Sequence, residues 1–483
     1  MEVAADGRGL VGHAGLVLPR KMADIAGLTA GLANAFRAGR ADKLDRGVVV
    51  GAAAVAIVGG ATNFSQVGSL LAHHRDTFGI TGSDTTVWRT LEEMSEARVS
   101  LRVARARARA RKKVWAMLAA RAQGFPTVTV AGKPLTGWVL VDVDATIVEA
   151  HSEKEGAAGH FKGGYGHHPL LVWCSNTGEN LRVLLRNGNA GSDTAADHVL
   201  VLDDAFAQLP DTGGYSRVLV RIDGAGASHE TVNHLLALST TRRKVAFTIG
   251  WTITKTDEDA IAALPDTAWE SYLDQDGTIR GKKLPGGGFD QYGHVAELTG
   301  LNGRISKNGW PAGLRLIARR VPITARDQAA GKLTAREKSV GWKYAITATN
   351  ISARGLAQVP GAGHAQFLDA VHRQHANVED RVRTGKSLGL GHLPSKLLAV
   401  NQAWLDTAAI GTDLDAWTRL LGLADHDDLT RAEPATMRAR IYSAPARLAR
   451  HARKTWLRFE ATLRDSTIIA TAWTTLTGLA QAT

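Results

Sequence analysis

Two aspartates end short apolar stretches in the same manner. Gly137-Trp-Val-Leu-Val-Asp-Val-Asp144 finishes on a carboxylate, and Arg217-Val-Leu-Val-Arg-Ile222 runs directly into Asp223 and a Gly-Ala-Gly loop. Side chains alternate along a strand, so Leu140, Asp142 and Asp144 share one face and Val139, Val141 and Val143 the other. One aspartate before a turn is ordinary turn chemistry. Two at strand ends within one sheet point instead to a ligand site, because strand ends are where α/β sheets gather ligands and because clustered like charges need a cation. Glu379 supplies a third carboxylate on a late helical stretch, with Arg383 and Lys386 expected on the same face. Such an all-oxygen donor set suits magnesium or manganese. Two of these ions about 4 Å apart serve in-line phosphoryl transfer, stabilising the attacking oxygen of water or of a DNA 3′-hydroxyl and the leaving oxygen, with no covalent enzyme intermediate.

The charge balance favours the same class of substrate. Lysine and arginine number 58 against 46 acids, a net +12, which suits a polyanion such as nucleic acid better than a small acidic ligand. The hydrophobic share of 44% and charged share of 22% are those of a folded globular chain. Its 483 residues are enough for roughly two to four domains. Cys174 is the sole cysteine, which excludes an intrachain disulfide and a thiolate zinc cluster and fits a reducing cytoplasm. The longest apolar run, 48–61, is too short and glycine-rich to span a bilayer and reads as a buried helix, so no membrane partner is expected. His151, His160, His167, His168 and His229 lack the compact helical spacing with an acidic partner that a zinc site needs; hydrogen bonding to phosphates is their expected role.

The elements that would position these groups follow from periodicity. Residues 22–95 read as helices, and Phe64, Val67, Leu70 and Leu71, a glycine-punctuated turn, and Val87, Leu91 and Met94 behind a Ser83 or Asp84 cap form a helix-turn-helix pattern. Thr85, Thr86, Arg89 and Thr90 are then expected to face outward, toward DNA if the hairpin reads it and toward water if it does not. Arg102, Arg105, Arg107, Arg109, Arg111, Lys112 and Lys113 follow on an acid-free helical stretch. A single sign of charge along a helix is self-repelling, so phosphate contact is expected there, against the plainer alternative of a basic linker.

From Gly137 the period changes to two, with strands expected at 137–144, 169–174, 180–186, 217–222 and 243–250. Helices capped by Ser192 and Ser228 are expected between the later ones. Three consecutive strands followed by helical crossovers make a mixed sheet. Residues 265–350 read as a β-rich insertion, with an Asp276-Gly277 turn, a Gly286-Gly287-Gly288 loop and alternating stretches at 314–321 and 342–349. Its Trp269, Trp310 and Trp342 are expected to pack in the core or on hairpins. Helical periodicity resumes near Gln366 and includes a basic amphipathic helix over 447–459.

An aspartate at the end of the first strand, another after the fourth and a late helical glutamate resemble, in this order, the RNase H-like core of DDE transposases. The β-rich insertion between the second aspartate and the glutamate resembles their bacterial cut-and-paste insertion-sequence branch. Asp142-Val-Asp-Ala-Thr146, His151-Ser-Glu-Lys154, Lys162-Gly-Gly-Tyr-Gly-His-His-Pro169, Asn189-Ala-Gly-Ser-Asp193 and Asp223-Gly-Ala-Gly-Ala-Ser-His229 look like one family within that branch. The resemblance implies Asp144, Asp223 and Glu379 as catalytic metal ligands. The nearby Thr146 favours Asp144 over Asp142 as the primary ligand, leaving Asp142 to support or share the metal site. The branch's late signature is Tyr, two residues, Arg, three residues, Glu, six residues, Lys; Glu379 and Lys386 keep its last spacing. His372 and His375 stand in the Tyr and Arg places and Arg373 lies one residue out of register, so protonated His375 would be a weaker phosphate contact than a guanidinium.

The organisation expected is a helical DNA-binding region (1–125), an RNase H-like α/β core in two parts (126–264 and 351–410) around the β-rich insertion (265–350), and a basic helical C-terminal region (411–483). The function implied is magnesium-dependent cleavage at terminal inverted repeats and strand transfer into target DNA, with two ions per site. A hairpin intermediate, a homodimer pairing two ends and a bacterial, nucleoid-associated setting in the cytoplasm follow from the same resemblance. DNA contacts are expected from Lys386, Arg383, His375, His372, Arg373, Arg89, Thr85, Thr86, Arg105, Arg109, Lys112 and Lys113. An RNase H-like nuclease that cuts without joining and a non-catalytic helix-turn-helix regulator are the alternatives.

Overall fold

The computed structural model describes the chain except for residues 5, 37–43, 151–152, 192–193, 211–214, 224–225, 284–288, 301–308, 332 and 483. Ser192, His151, the Gly286–Gly288 loop and Gly224-Ala225 therefore lie outside the described residues.

The centre is a nine-stranded mixed sheet. Its strands are β1 (Val139–Ala145), β2 (Leu170–Cys174), β3 (Asn180–Leu184), β4 (Arg217–Ile222), β5 (Lys244–Trp251), β6 (Glu270–Ser271), β7 (His294–Glu297), β8 (Arg315–Pro322) and β9 (Trp342–Thr349). Their spatial order is β3-β2-β1-β4-β5-β9-β8-β7-β6. β1, β2 and β3 form the antiparallel meander, and β4 and β5 join β1 in parallel through helical crossovers. Most of the β-rich stretch extends this sheet, apart from a separate two-stranded pairing of Gly281–Lys283 with Phe289–Gln291. β9 pairs antiparallel with β5, setting Ile346 opposite Trp251, and β8, β7 and β6 continue outward.

The helices used below are α1 (Val17–Ile25), α2 (Leu28–Phe36), α3 (Arg46–Val58), α4 (Phe64–His73), α5 (Asp84–Met94), α6 (Ala97–Ala119), α7 (Ala195–Gln208), α8 (His229–Ala237), α9 (Ala365–Arg373), α10 (Asn377–Gly385), α11 (Leu398–Trp417) and α12 (Ser466–Ala482). α3, capped by Asp45, is apolar almost all round and packs against α11 in the main core, as its composition demands. α4 and α5 form the expected helical pair; Asn63 caps the first and Ser83 the second. Thr194 stands at the N-cap of α7, and Ser228 caps α8 by accepting from Thr231 N. Among the described residues no helix is long and apolar enough to cross a membrane.

The two faces of the sheet have separate cores. Val139, Val141 and Val143 of β1 belong to the larger one; Leu140, with Leu219 of β4, belongs to a second that includes Phe367, Leu368 and Val371 of α9. Period two thus decides which helix lies over the carboxylate face of β1, and that helix is α9.

One expectation is corrected at the C-terminus. Residues 447–459 form no basic helix: strands Ala446–His451 and Lys454–Phe459 pair as a hairpin, joined by Ala452 and Arg453 at φ 51° and 61°. Two consecutive left-handed residues make the tight turn whose twist matches paired strands. Leu10–Val11 adds a third strand at the far end of the sequence. This pairing is a tertiary effect that overrides a composition rich in helix formers.

Candidate active site

β1 and β4 pair in parallel, with Leu140 opposite Leu219, Asp142 opposite Arg221 and Val143 opposite Ile222. These pairs are rungs of one ladder, and the next positions on the carboxylate face are Asp144 and Asp223, at neighbouring strand ends. α9 crosses that face, a 3₁₀ turn over Gln374–Ala376 follows, and α10 begins with Glu379 in its first turn. Asp144, Asp223 and Glu379 consequently line one cavity of about 610 Å³, together with His372, His375, Arg319 and Arg373.

Burial pushes the Asp144 carboxyl up to about 6; the charges of Asp223 and Glu379 push the same way, opposed by His375 and by the Ala145 amide. Three like charges feeling one another in a half-enclosed cavity are a donor set in want of a cation, and carboxylate oxygens are what Mg²⁺ and Mn²⁺ prefer. Among the described residues no three His, Cys, Asp or Glu side chains stand close enough together to hold a metal ion. The three carboxylates match divalent ions in the chemistry of their donor atoms.

Asp142 is not part of this cavity, and its expected share in the metal site is corrected. Its side chain is fully buried, and Arg221 grips both its oxygens, Nε to Oδ1 at 2.6 Å and Nη2 to Oδ2 at 2.8 Å, with Ser175 also donating to it. Burial alone would raise its carboxyl; the Arg221 charge and hydrogen bonds more than offset this and hold it below the ordinary carboxylate range. Arg221 in turn reaches the Val371 carbonyl and Gln374 Oε1, both at 3.3 Å. The pair therefore ties β1 and β4 to the helix that delivers Glu379.

The two histidines of the late signature line the cavity, His375 buried and His372 half-buried. His375 is buried and its Nε2 lies 3.1 Å from the Val143 carbonyl, so it braces the strand end beside Asp144 and is no exposed phosphate grip. His372 Nδ1 lies 3.3 Å from Thr248 Oγ1. Burial and the neighbouring His375 push it down to about 3, against the pull of Asp223. Its place on the cavity wall leaves it within the site, and the lowered value favours the uncharged ring.

Arg373 lines the cavity, bonded through Nε to Asp369 at 2.7 Å, and its guanidinium lies 4.6 Å from the Tyr272 ring. Lys386 continues α10 into a π-turn that kinks at Leu388 and Gly389, and its Nζ donates to the Ile147 carbonyl at 2.7 Å. Arg383 does not converge with them. It is exposed, pairs with Asp380 at 3.1 Å and Glu433 at 2.8 Å, and lines a different cavity.

In the N-terminal region Thr85 and Arg89 are exposed and Thr86 half-buried, but Thr90 is buried and donates to the Thr86 carbonyl at 2.7 Å, a correction to its outward reading. On α6, Arg105, Arg109 and Lys112 are exposed and Lys113 half-buried. Arg107 and Arg111 are buried instead, and their counter-charges are Glu179 and Asp413 from distant sequence rather than phosphates. Of the insertion's tryptophans, Trp310 is packed between His229 and Trp251 at 3.9 and 4.5 Å. Trp269 and Trp342 flank the Arg320 guanidinium at 4.4 and 4.9 Å.

Arg221, Arg319 and Asp369 were not singled out from the sequence. The signal for Arg221 was present: a lone charge inside Val-Leu-Val-Arg-Ile requires a buried partner, and Asp142 is the one charge inside the neighbouring strand. Arg319 pairs with Asp369 at 3.6 Å only because β8 is brought against α9, which no local pattern specifies.

A family model described as transposase DDE domain, group 1, matches residues 1–481. Among solved structures, the cryo-EM piggyBac transposase synaptic complex with hairpin DNA aligns over 88% of this chain and 78% of that chain, at 10% identity and a TM-score of 0.38. No curated protein matches it. With nearly its whole length matched by that model and its three carboxylates on one cavity, the chain belongs to the DDE transposase family, group 1.

Proposed function

We propose that this DDE transposase performs cut-and-paste transposition of a bacterial insertion sequence, cutting at terminal inverted repeats and joining the freed ends to target DNA with Asp144, Asp223 and Glu379. The observation that carries the reading is the meeting of these three carboxylates, from two parallel strand ends and one helix, on a single cavity flanked by cations. They would hold two Mg²⁺ or Mn²⁺ ions, which when bound supply charge stabilisation for the attacking and leaving oxygens of phosphoryl transfer. His375 holds the strand end in place, the Asp142–Arg221 pair ties β1 and β4 to α9, and Lys386, bonded to the Ile147 carbonyl, would serve as a cation for the DNA backbone.

The exposed Thr85 and Arg89, with Thr86, on the second helix of the helical pair suit end recognition, and Arg105, Arg109, Lys112 and Lys113 suit phosphates alongside. A homodimer would pair the two ends, acting in the cytoplasm.

Incubation with labelled terminal repeats, target plasmid and Mg²⁺ tests the reading. Joined product is expected. Cleavage without joining would replace the proposal with a nuclease, and binding without cleavage would replace it with a regulator. Asp223→Ala and Glu379→Ala are expected to lose cutting and joining while retaining end binding; normal cutting by either would remove that residue from the site. Arg105→Ala with Arg109→Ala should weaken binding to all DNA sequences and lower the slope of log affinity against log salt by about 2, because each phosphate contact contributes roughly one counterion. An unchanged slope would take α6 off the DNA.

A further inference from the structure

Between β1 and β2 the chain forms a small three-stranded sheet, Val148–Glu149, Ala158–Gly159 and Tyr165–His167. Its tip is held firmly. His160 N donates to the Gly164 carbonyl at 3.0 Å and Gly163 N to the His160 carbonyl at 2.9 Å, with Gly163 at φ 85°. His160 Nε2 meets Glu149 Oε1 at 3.1 Å, His167 Nε2 the Glu155 carbonyl at 3.0 Å and His168 Nδ1 the Ala190 carbonyl at 2.9 Å. A Cβ on Gly166 would lie 2.2 Å from the Val148 carbonyl oxygen, so the backbones here are as close as glycine allows. The Lys162-to-Pro169 motif thus uses its histidines and Gly166 to fix the hairpin.

What the fixed hairpin presents is aromatic and cationic. Phe161 is 74% exposed and Tyr165 48% exposed, and Lys162 Nζ lies 5.6 Å from the centre of the Phe161 ring. The Phe161 ring is propped against His168 at 5.6 Å, so two aromatics and a lysine stand together on a rigid support, the combination that suits a nucleic-acid end. The hairpin's first strand, Val148–Glu149, follows directly on the strand end that carries Asp144. Lys162 is near enough to Lys386 for their charges to repel, and Lys386 in turn feels Asp144 and Glu149 while bonded to Ile147, three residues beyond Asp144.

We propose that this hairpin grips the cut DNA end: Phe161, assisted by Tyr165, stacks on the face of the terminal base pair, while Lys162 and Lys386 contact the adjacent phosphates. An aromatic face serves any base, and cations beside it match a nucleic-acid end better than they match an apolar protein surface. The inference rests on the DNA-end reading given above and adds to it a named contact.

The test uses the full-length chain and a pre-cleaved terminal-repeat duplex carrying 2-aminopurine at its last position. Wild-type protein is expected to quench the fluorescence on binding. Phe161→Ala should lose the quenching and bind the end about 5- to 100-fold more weakly, the range found for removing a base-stacking aromatic. Phe161→Trp should keep both properties. Full quenching and unaltered affinity in Phe161→Ala would overturn the inference, as would a loss confined to self-association of the protein in sedimentation with quenching intact. If the wild-type protein binds and cuts ends yet the variants are alike, the hairpin contact alone falls; if it binds no terminal repeat, the transposition reading falls with it.

Discussion

Asp144→Asn and Asp142→Asn, two substitutions on one face of one strand, are expected to change the protein in opposite directions. At Asp144 the substitution removes a like charge from a cavity it shares with Asp223 and Glu379, where burial has raised its carboxyl to about 6. A carboxyl raised on folding is destabilising in its ionised form, a penalty fully present above pH about 6 and absent below the unfolded value near 4. Asp144→Asn should therefore melt at the wild-type temperature or higher at pH 7 in metal-free buffer, with the advantage fading as the pH falls from 6 toward 4. Added Mg²⁺ should raise the wild-type melting temperature, as a ligand of the native state does, and should leave the variant unmoved. DNA cleavage should fall by about three orders of magnitude or more, since losing several kcal/mol of transition-state stabilisation costs a factor of ten per 1.4 kcal/mol. Asp142→Asn instead leaves the buried Arg221 guanidinium without its counter-charge, at a cost of about 3–5 kcal/mol. Its melting temperature should drop in the presence and absence of Mg²⁺ alike. A Mg²⁺-dependent rise in melting temperature retained by Asp144→Asn but lost by Asp142→Asn would exchange the two assignments.

The same ladder shows what was legible in the sequence. Alternation in Val-Leu-Val-Asp-Val-Asp placed both aspartates on one face, and that face is the one α9 covers. The pattern is silent on depth along the strand, and depth separates them: Asp142 lies one rung inside, opposite Arg221, while Asp144 is at the rim. The spacing of Glu379 to Lys386 and of Ser228 to its helix is local, and both elements stand where it implies. The Arg383 side chain is drawn away from the site by Asp380 and by Glu433, a partner 50 positions on that helical spacing cannot reveal. The 447–459 hairpin was misread for the same reason: its strand character depends on Leu10–Val11 and on two left-handed residues that are not glycine. Acid-free α6 shows how charge in sequence misleads when charge in space is supplied by Glu179 and Asp413, 68 and 302 positions from Arg111.

Arg111→Met is expected to lower stability by about 3–5 kcal/mol, the range for removing one partner of a buried ion pair. The guanidinium is wholly buried, with Nε 2.7 Å from Glu179 Oε1, Nη1 2.5 Å from Gln208 Oε1 and Nη2 2.7 Å from Asp413 Oδ2. It sits where α6, the turn leading into β3, α7 and α11 meet. Trp115 and Trp417 each donate an indole N–H to Glu179 at 2.7 Å, so the carboxylate is neutralised by Arg111 and oriented by two rings. Methionine would fill much of the volume, yet Glu179 would stay buried with two neutral donors and no cation, while Asp413 would keep Arg107 at 2.8 Å. The deficit is thus centred on Glu179. Pairing Arg111→Met with Glu179→Gln should recover part of the loss, because no buried charge is then left uncompensated at that position. Arg109→Ala, two residues away and exposed, should leave the melting temperature unchanged and weaken DNA binding. A double variant no more stable than Arg111→Met would show that the helix is held to the sheet by packing rather than by this charge cluster. Recovery would show that the inner arginines join the N-terminal helices to the sheet through this charge cluster, and weaker DNA binding by Arg109→Ala at unchanged stability would give the outer face a separate role.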